Sequence, residues 1–200
     1  IQNKFELIEY GIINNGSDFS LVSNIKLSEL DIKNQSLIKE YLPKAKDILN
    51  LKDHKIELNY QDNVLSLQGL GKIKLEKELN KIEYFFSTKD KKYNFKTALE
   101  INDTPIMINL INYKQNKDLN SQLRINGNYN KKFGFNFKKI SLLSKNNRLI
   151  VNDLKIDKNN KLTKVDKIDL DYFDTQDMRN KFVLSRAKNN NYKLKGSLLN

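Results

Sequence analysis

From Ile56 to the C-terminal end, apolar and polar positions alternate in short runs separated by turns rich in Asn, Lys, Asp and Gly. Period two is the repeat of a strand with one dry and one wet face. Runs of this length between such turns predict a long antiparallel β meander. Three runs share the form apolar-x-apolar-x-Gly, ending at Gly69, Gly127 and Gly196. The alternation predicts strands over 55–60, 64–68, 72–76, 81–88, 93–101, 105–113, 119–129, 133–143, 148–156, 164–173, 181–188 and 192–198. Parallel neighbours would need crossovers of a dozen or more residues. The connections are too short for that, so strands adjacent in sequence should pair antiparallel.

The dry face can be read residue by residue. It runs through Ile82, Tyr84 and Phe86, then Tyr93, Phe95, Thr97, Leu99 and Ile101, then Leu123 and Ile125. It continues through Phe133, Phe135 and Phe137, then Ile168, Leu170 and Tyr172, then Phe182 and Leu184. Only 105–113 is apolar on both faces, with Ile106, Met107, Ile108, Leu110 and Ile111.

The first fifty residues read differently. Strands over 5–13 and 19–30 flank the turn Asn14-Asn15-Gly16-Ser17-Asp18. Between 36 and 49, Leu37, Ile38, Tyr41, Leu42, Ala45, Ile48 and Leu49 fall near helical spacing. Pro43 should kink that helix or split it in two. The helix would cap one end of the sheet or lie on its apolar face. The chain thus divides into a hairpin (1–34), a helical segment (35–50) and a large sheet (51–200). It starts at Ile1 and ends directly after a strand-like run, as expected of one continuous piece of a larger protein.

A hydrophobic fraction of 38% is low for a compact globule but suits a sheet with one wet face. The net charge of +12 invites a nucleic-acid reading. Only four of the 36 basic residues are Arg, the residue whose planar fork suits phosphate and base edges, so no nucleic-acid partner is expected. Abundant Lys, Asn and Ile point instead to A/T-rich codons. A Lys excess remains compatible with anionic head groups. There is no Cys, which excludes disulfides and thiol chemistry.

Polar chemistry is sparse. His54, the one histidine, sits between Asp53 and Lys55 and reads as a solvated turn residue without partners for base catalysis. Gly69-Leu-Gly71 precedes a strand pattern, whereas a phosphate loop needs a helix N-terminus there. Asp166, Asp169, Asp171, Asp174 and Asp177 are the densest carboxylates. They lack the Gly-containing loop of a calcium site and read as a solvated face among Lys residues. The aromatics around Lys131, Lys132, Lys138 and Lys139 could stack single-stranded bases, but period two turns them away from solvent. No catalytic residue, metal ligand or cofactor is expected, and the chain does not read as an enzyme.

A dozen strands at ~4.8 Å spacing make an open sheet ~55 Å wide, and its apolar face must be covered. A second sheet or closure into a barrel would make that face an ordinary core. A trough would leave it for an apolar ligand.

Several stretches carry a family resemblance: 56–60, 65–75, 93–99 and 119–127, with the strand ending in Gly196. They resemble the AsmA-like proteins, in particular the YhdP type. Tyr41-Leu42-Pro43-Lys44 is similar to the family's Trp-Pro helical segment, with Leu42 where Trp is usual. The resemblance spans 35–200 and its motifs are degenerate. It implies a repeating β-groove in a periplasmic protein anchored to the inner membrane by a segment outside this chain. It also implies a non-enzymatic role moving phospholipid between the inner and outer membranes in support of outer-membrane biogenesis. Under that reading the groove is lined by the dry-face residues named above, from Ile82 to Leu184, with Ile106, Ile108 and Leu110 from the doubly apolar strand. The alternative is a structural or partner-binding β scaffold with a buried core and no lipid.

Overall fold

The structure, a computed structural model, describes residues 4–15, 18–34, 36–102, 104–115, 120–187 and 191–197. Most of them build one large antiparallel sheet. Its strands are β1 (Lys4–Asn15), β2 (Asp18–Lys33), β3 (Ile48–Gln61), β4 (Val64–Lys74), β5 (Leu79–Lys89) and β6 (Lys92–Ile101). After a separate hairpin, β7 (Ile106–Ile108) and β8 (Tyr113–Gln115), come β9 (Ser121–Asn130), β10 (Gly134–Ser144) and β11 (Arg148–Ile156). Then follow β12 (Leu162–Lys164), β13 (Lys167–Phe173), β14 (Arg179–Arg186) and β15 (Tyr192–Ser197). Spatial order follows sequence order, with β6 pairing directly with β9 and β12 flanking β11. β1 and β15 are the two edges, and the sheet is not closed.

Register puts the dry residues of all the strands on one face. Directly opposed pairs share a face. Opposed pairs run from Leu58↔Leu67 and Leu67↔Phe86 to Phe86↔Phe95, then Leu99↔Leu123, Leu123↔Leu142, Leu142↔Leu149 and Leu149↔Leu170. Irregular steps keep that face dry where the sequence alternation slips. In β3 the register shifts between Lys52 and Lys55, with Asp53 in the left-handed region at φ 55°. Leu49 and Leu51 therefore face the same side as His54, Ile56 and Leu58. β10 and β11 skip Lys138 and Asp153 together, which brings Phe137 opposite Leu154. Such bulges bend a sheet and strengthen its twist.

Three sequence expectations are corrected. The 36–49 helix is only α1 (Ser36–Tyr41). Its last bond is Leu42 N–H to the Ile38 carbonyl at 2.8 Å, and Pro43 then stops it, since proline cannot donate and disfavours helix in the residue before it. Ile48 and Leu49 begin β3 instead. The strands expected at 64–68 and 72–76 are one strand, β4, because the glycines between them serve packing rather than a turn. The strand expected at 105–113 is the β7–β8 hairpin around a 3-10 turn (Asn109–Ile111), closed by Asn112 in the left-handed region at φ 51°.

The hairpin turns at 62–63, 90–91 and 131–133 lie at one end of the sheet, here called the upper end. At the lower end, 42–45 and the β7–β8 arm fold over the dry face. Leu42, Ala45, Ile106 and Tyr113 join Leu49, Ile73, Leu75, Ile101, Leu142, Leu149, Leu170 and Tyr172 in the buried core. The arm is pinned by Tyr172 Oη donating to the Ile111 carbonyl (2.6 Å) and by the Thr175 N–H donating to the Asn112 carbonyl (3.2 Å). Beneath it, Gln115 Oε1 accepts from Tyr113 Oη (2.8 Å) and Ser121 Oγ (2.5 Å), so these three buried side chains satisfy one another.

Candidate functional site: the uncovered half of the apolar face

Among the described residues, the elements outside the main sheet are α1 and the β7–β8 arm, and they pack at the lower end. The upper half of the dry face has no second layer of its own. What fills it is aromatic. Ring centroids link Phe86 to Tyr93 (5.8 Å), Tyr93 to Tyr129 (6.0 Å) and Tyr129 to Phe135 (4.7 Å). Phe135 stacks on Phe137 (5.5 Å, interplanar angle 8°), and Phe95 meets Phe137 edge-on at 5.8 Å. Towards β1, Phe19 and Tyr60 form a separate pair at 5.6 Å. None of these rings is fully buried; Phe135 is 37% and Phe19 45% exposed. Leu58, Leu65, Leu67, Leu154 and Ile156 surround them, half-buried on the same face.

Glycine sets how closely this surface packs. A Cβ at Gly69 would lie 2.3 Å from the Tyr84 ring, and one at Gly71 2.3 Å from the His54 ring. At Gly127 it would lie 2.5 Å from the Asn136 carbonyl oxygen, and at Gly196 2.2 Å from that of Lys181. The glycine closing each apolar-x-apolar-x-Gly run is thus where a neighbouring strand or ring comes too close for a side chain.

His54 is no solvated turn residue. It is fully buried within β3. Nε2 lies 2.9 Å from the Lys72 carbonyl and Nδ1 3.0 Å from Tyr84 Oη. A carbonyl only accepts, so Nε2–H donates and Nδ1 accepts the Tyr84 hydroxyl, a tautomer fixed by the network. Burial raises the Tyr84 phenol above its ordinary pKa. Both nitrogens are engaged in contacts within the sheet.

The expected lining residues separate into groups. Tyr84, Phe86, Phe95, Ile125, Phe135, Phe137 and Leu184 lie on the dry face outside the buried core. Ile82, Leu99, Leu123, Ile168 and Phe182 pack against that core, and Ile101, Leu170 and Tyr172 belong to it. Ile106 and Ile108 sit in the roof, not on the sheet. Leu110 points to solvent from the 3-10 turn at 94% exposure, and Phe133 sits in the β9–β10 turn at 69%. For Phe133 the reason is local. Gly134, at φ 90°, starts β10 one residue late and leaves Phe133 on the tip. The residues not expected, among them Leu58, Leu67 and Leu154, belong to the same alternation. Leu154 escaped because the bulge at 153 resets the parity within its strand, whereas Leu58 and Leu67 follow the regular alternation of 55–60 and 64–68.

The polar face holds most of the ion pairs and two open concavities. One of about 720 Å³ is bordered by Lys55, Glu57, Gln68, Leu70, Glu83 and Phe85. The other, about 560 Å³, is bordered by Lys81, Glu83, Lys96, Glu100, Gln122 and Arg124. Asp171 receives the Arg179 fork at 2.9 and 3.2 Å, which holds its carboxyl below the usual range. Asp169 receives Arg148 at 3.0 Å, and Lys164 and Arg186 meet at Asp166. Three of the chain's four arginines are thus committed to β13 and its approach. Among the described residues no group of three His, Asp or Glu could hold a metal ion, and no helix is long and apolar enough to cross a membrane. No family model, curated protein or solved structure matches this chain.

Proposed function

We propose that this chain is a non-enzymatic lipid-handling segment whose uncovered apolar half-face shields phospholipid acyl chains. The observation that carries this reading is the linked aromatic stripe from Phe86 to Phe137, on the one half of the dry face that neither α1 nor the β7–β8 arm covers. Moving a ~16-carbon chain through water costs on the order of 12 kcal/mol at ~0.8 kcal/mol per CH₂. A continuous greasy strip removes that barrier while the head group stays wet. Apolar contact is non-directional, so such a strip needs no specific polar residue. The sequence resemblance to AsmA-like proteins supports the same reading: a groove-forming piece of a periplasmic bridge, anchored to the inner membrane elsewhere, that passes phospholipid towards the outer membrane.

Photo-crosslinking tests it. A photoreactive residue at Phe95 or Tyr129 should capture phospholipid in cells, and one at Lys96 or Arg124 on the polar face should not. Equal capture on both faces, or none at the stripe with no phospholipid co-purifying by mass spectrometry, would refute the lipid reading. A partner-binding scaffold would then stand, a reading favoured by the closed core of the lower half.

A further inference from the structure

We propose that the upper end of the sheet is a docking edge for the head-group surface of an anionic phospholipid bilayer. This rests on the lipid reading above and names the surface from which lipid would enter. Three neighbouring tips carry the argument. The β5–β6 turn is flanked by Lys89, Lys91 and Lys92, the β9–β10 turn holds Lys131 and Lys132, and the turn after β11 holds Lys158 and Lys161. All seven are exposed. Every ion pair among the described residues involves other cations. The tips also hold Asp90 and Asp157, but the Asp157 carboxylate accepts the N–H groups of Asn159 (2.8 Å) and Lys161 (2.9 Å) within its own turn. Adjacent tips are two strands apart, so the three span about 20 Å.

Two side chains at these tips are apolar and wet. Phe133 is 69% exposed with the Lys132 ammonium 5.4 Å from its ring centre, and Leu162 is 63% exposed. Just below, Tyr93 and Tyr129 begin the aromatic stripe. Uncompensated lysines, single protruding apolar residues and a row of tyrosines match the layers of an anionic membrane surface in order. Lysines meet phosphate, tyrosines sit at head-group depth, and Phe133 and Leu162 enter the acyl boundary. A sheet standing on this edge would place its uncovered apolar half in line with the leaflet interior. Nucleic acid fits less well, because three of the four arginines are held by Asp166, Asp169 and Asp171 and the edge offers point-charge lysines.

Sedimentation of the 200-residue chain with vesicles tests the proposal. The chain should bind vesicles containing about a third phosphatidylglycerol and ignore pure phosphatidylcholine. Replacing Lys91, Lys92, Lys131 and Lys132 by Gln should weaken that binding on the order of 1000-fold. Phe133→Ser should weaken it about tenfold. Lys44→Gln with Lys46→Gln and Lys145→Gln, at the lower end, should change little. Wild-type binding by the upper-edge variant overturns the proposal, as does tighter binding to a single-stranded oligonucleotide than to the anionic vesicles. Uptake of short-chain phosphatidylcholine below its micelle concentration reports the apolar face alone. If uptake persists while the upper-edge variant binds vesicles normally, the docking edge fails and the lipid reading stands. If uptake is absent, the lipid reading itself fails.

Discussion

The His54 ring is held on both nitrogens and pressed against Gly71, so the smallest change at that glycine should be felt. The added methyl of Gly71→Ala would sit 2.3 Å from the imidazole Cδ2. Overpacking of this kind is expected to cost about 2–3 kcal/mol in urea denaturation. In a His54→Ala background the same change should cost under ~1 kcal/mol, because the clash is gone. Equal costs in both backgrounds would mean that the strand, not the ring, dislikes the alanine. Tyr113 supplies a pH dependence. Burial pushes its phenol up to about 12 from 10. The folded state therefore keeps a proton that the unfolded chain releases above pH 10. The corresponding stability is complete below pH 10 and is lost as pH rises towards 12, by about 2 kcal/mol. Tyr113→Phe should flatten that alkaline loss when stability is followed by circular dichroism. Neither residue's role could be read locally. Lys52-Asp-His-Lys55 has the composition of a turn, and only a bulge that spends Asp53 on a left-handed step turns His54 inward. Tyr113 looked like one more strand residue until the hairpin around Asn112 tucked it under the roof.

At the scale of elements, alternation placed most of the strands with two sheet neighbours, but not β3, which starts seven residues before expectation, or β4, which joins two expected runs. β11 spans the expected residues, and β5, β6, β9, β10 and β14 lie within two or three residues of expectation. It failed where burial rather than pairing set the pattern. The run from Ile106 to Ile111 is apolar on both faces because it lies over the core, and periodicity cannot distinguish a doubly buried strand from a short roof. The roof makes opposite predictions for two similar residues four apart. Ile106 is 4% exposed against the core, and Leu110 is 94% exposed on the 3-10 turn. Ile106→Ala should cost about 2–4 kcal/mol by transfer and cavity terms. Leu110→Ala should stay within about 0.5 kcal/mol, as exposed substitutions do. If Leu110 proves the costlier of the two in thermal denaturation, the arm does not pack as described. The same contrast explains why only part of the candidate site was legible. Period two gives the face a residue points to, but not which part of that face is later covered.

The molecule as a whole is a sheet of nearest-neighbour pairings, cross-linked at one end by its arm and open at the other. Its stability should therefore be graded along the strands. Amides of the lower half, between the core around Leu49, Leu75 and Leu170 and the pinned arm, should exchange slowest with deuterium. Those of the upper half, and the outward amides of β1 and β15, should exchange through local opening at much lower free energy. A ligand bound only to the folded state slows exchange where its site must open, by about 100-fold at a hundred times its dissociation constant. If short-chain phosphatidylcholine occupies the aromatic stripe, protection should rise in the upper halves of β5, β6, β9 and β10, at Phe86, Tyr93, Phe95, Tyr129 and Phe137. The roofed end should change little, because its apolar surface already has a partner. Protection that rose evenly along the strands would mean general stabilisation with no site. Protection confined to Lys55, Gln68, Glu83 and Lys96 would move the ligand to the concavity on the polar face. Only the graded outcome ties lipid to the half of the sheet that the fold leaves uncovered.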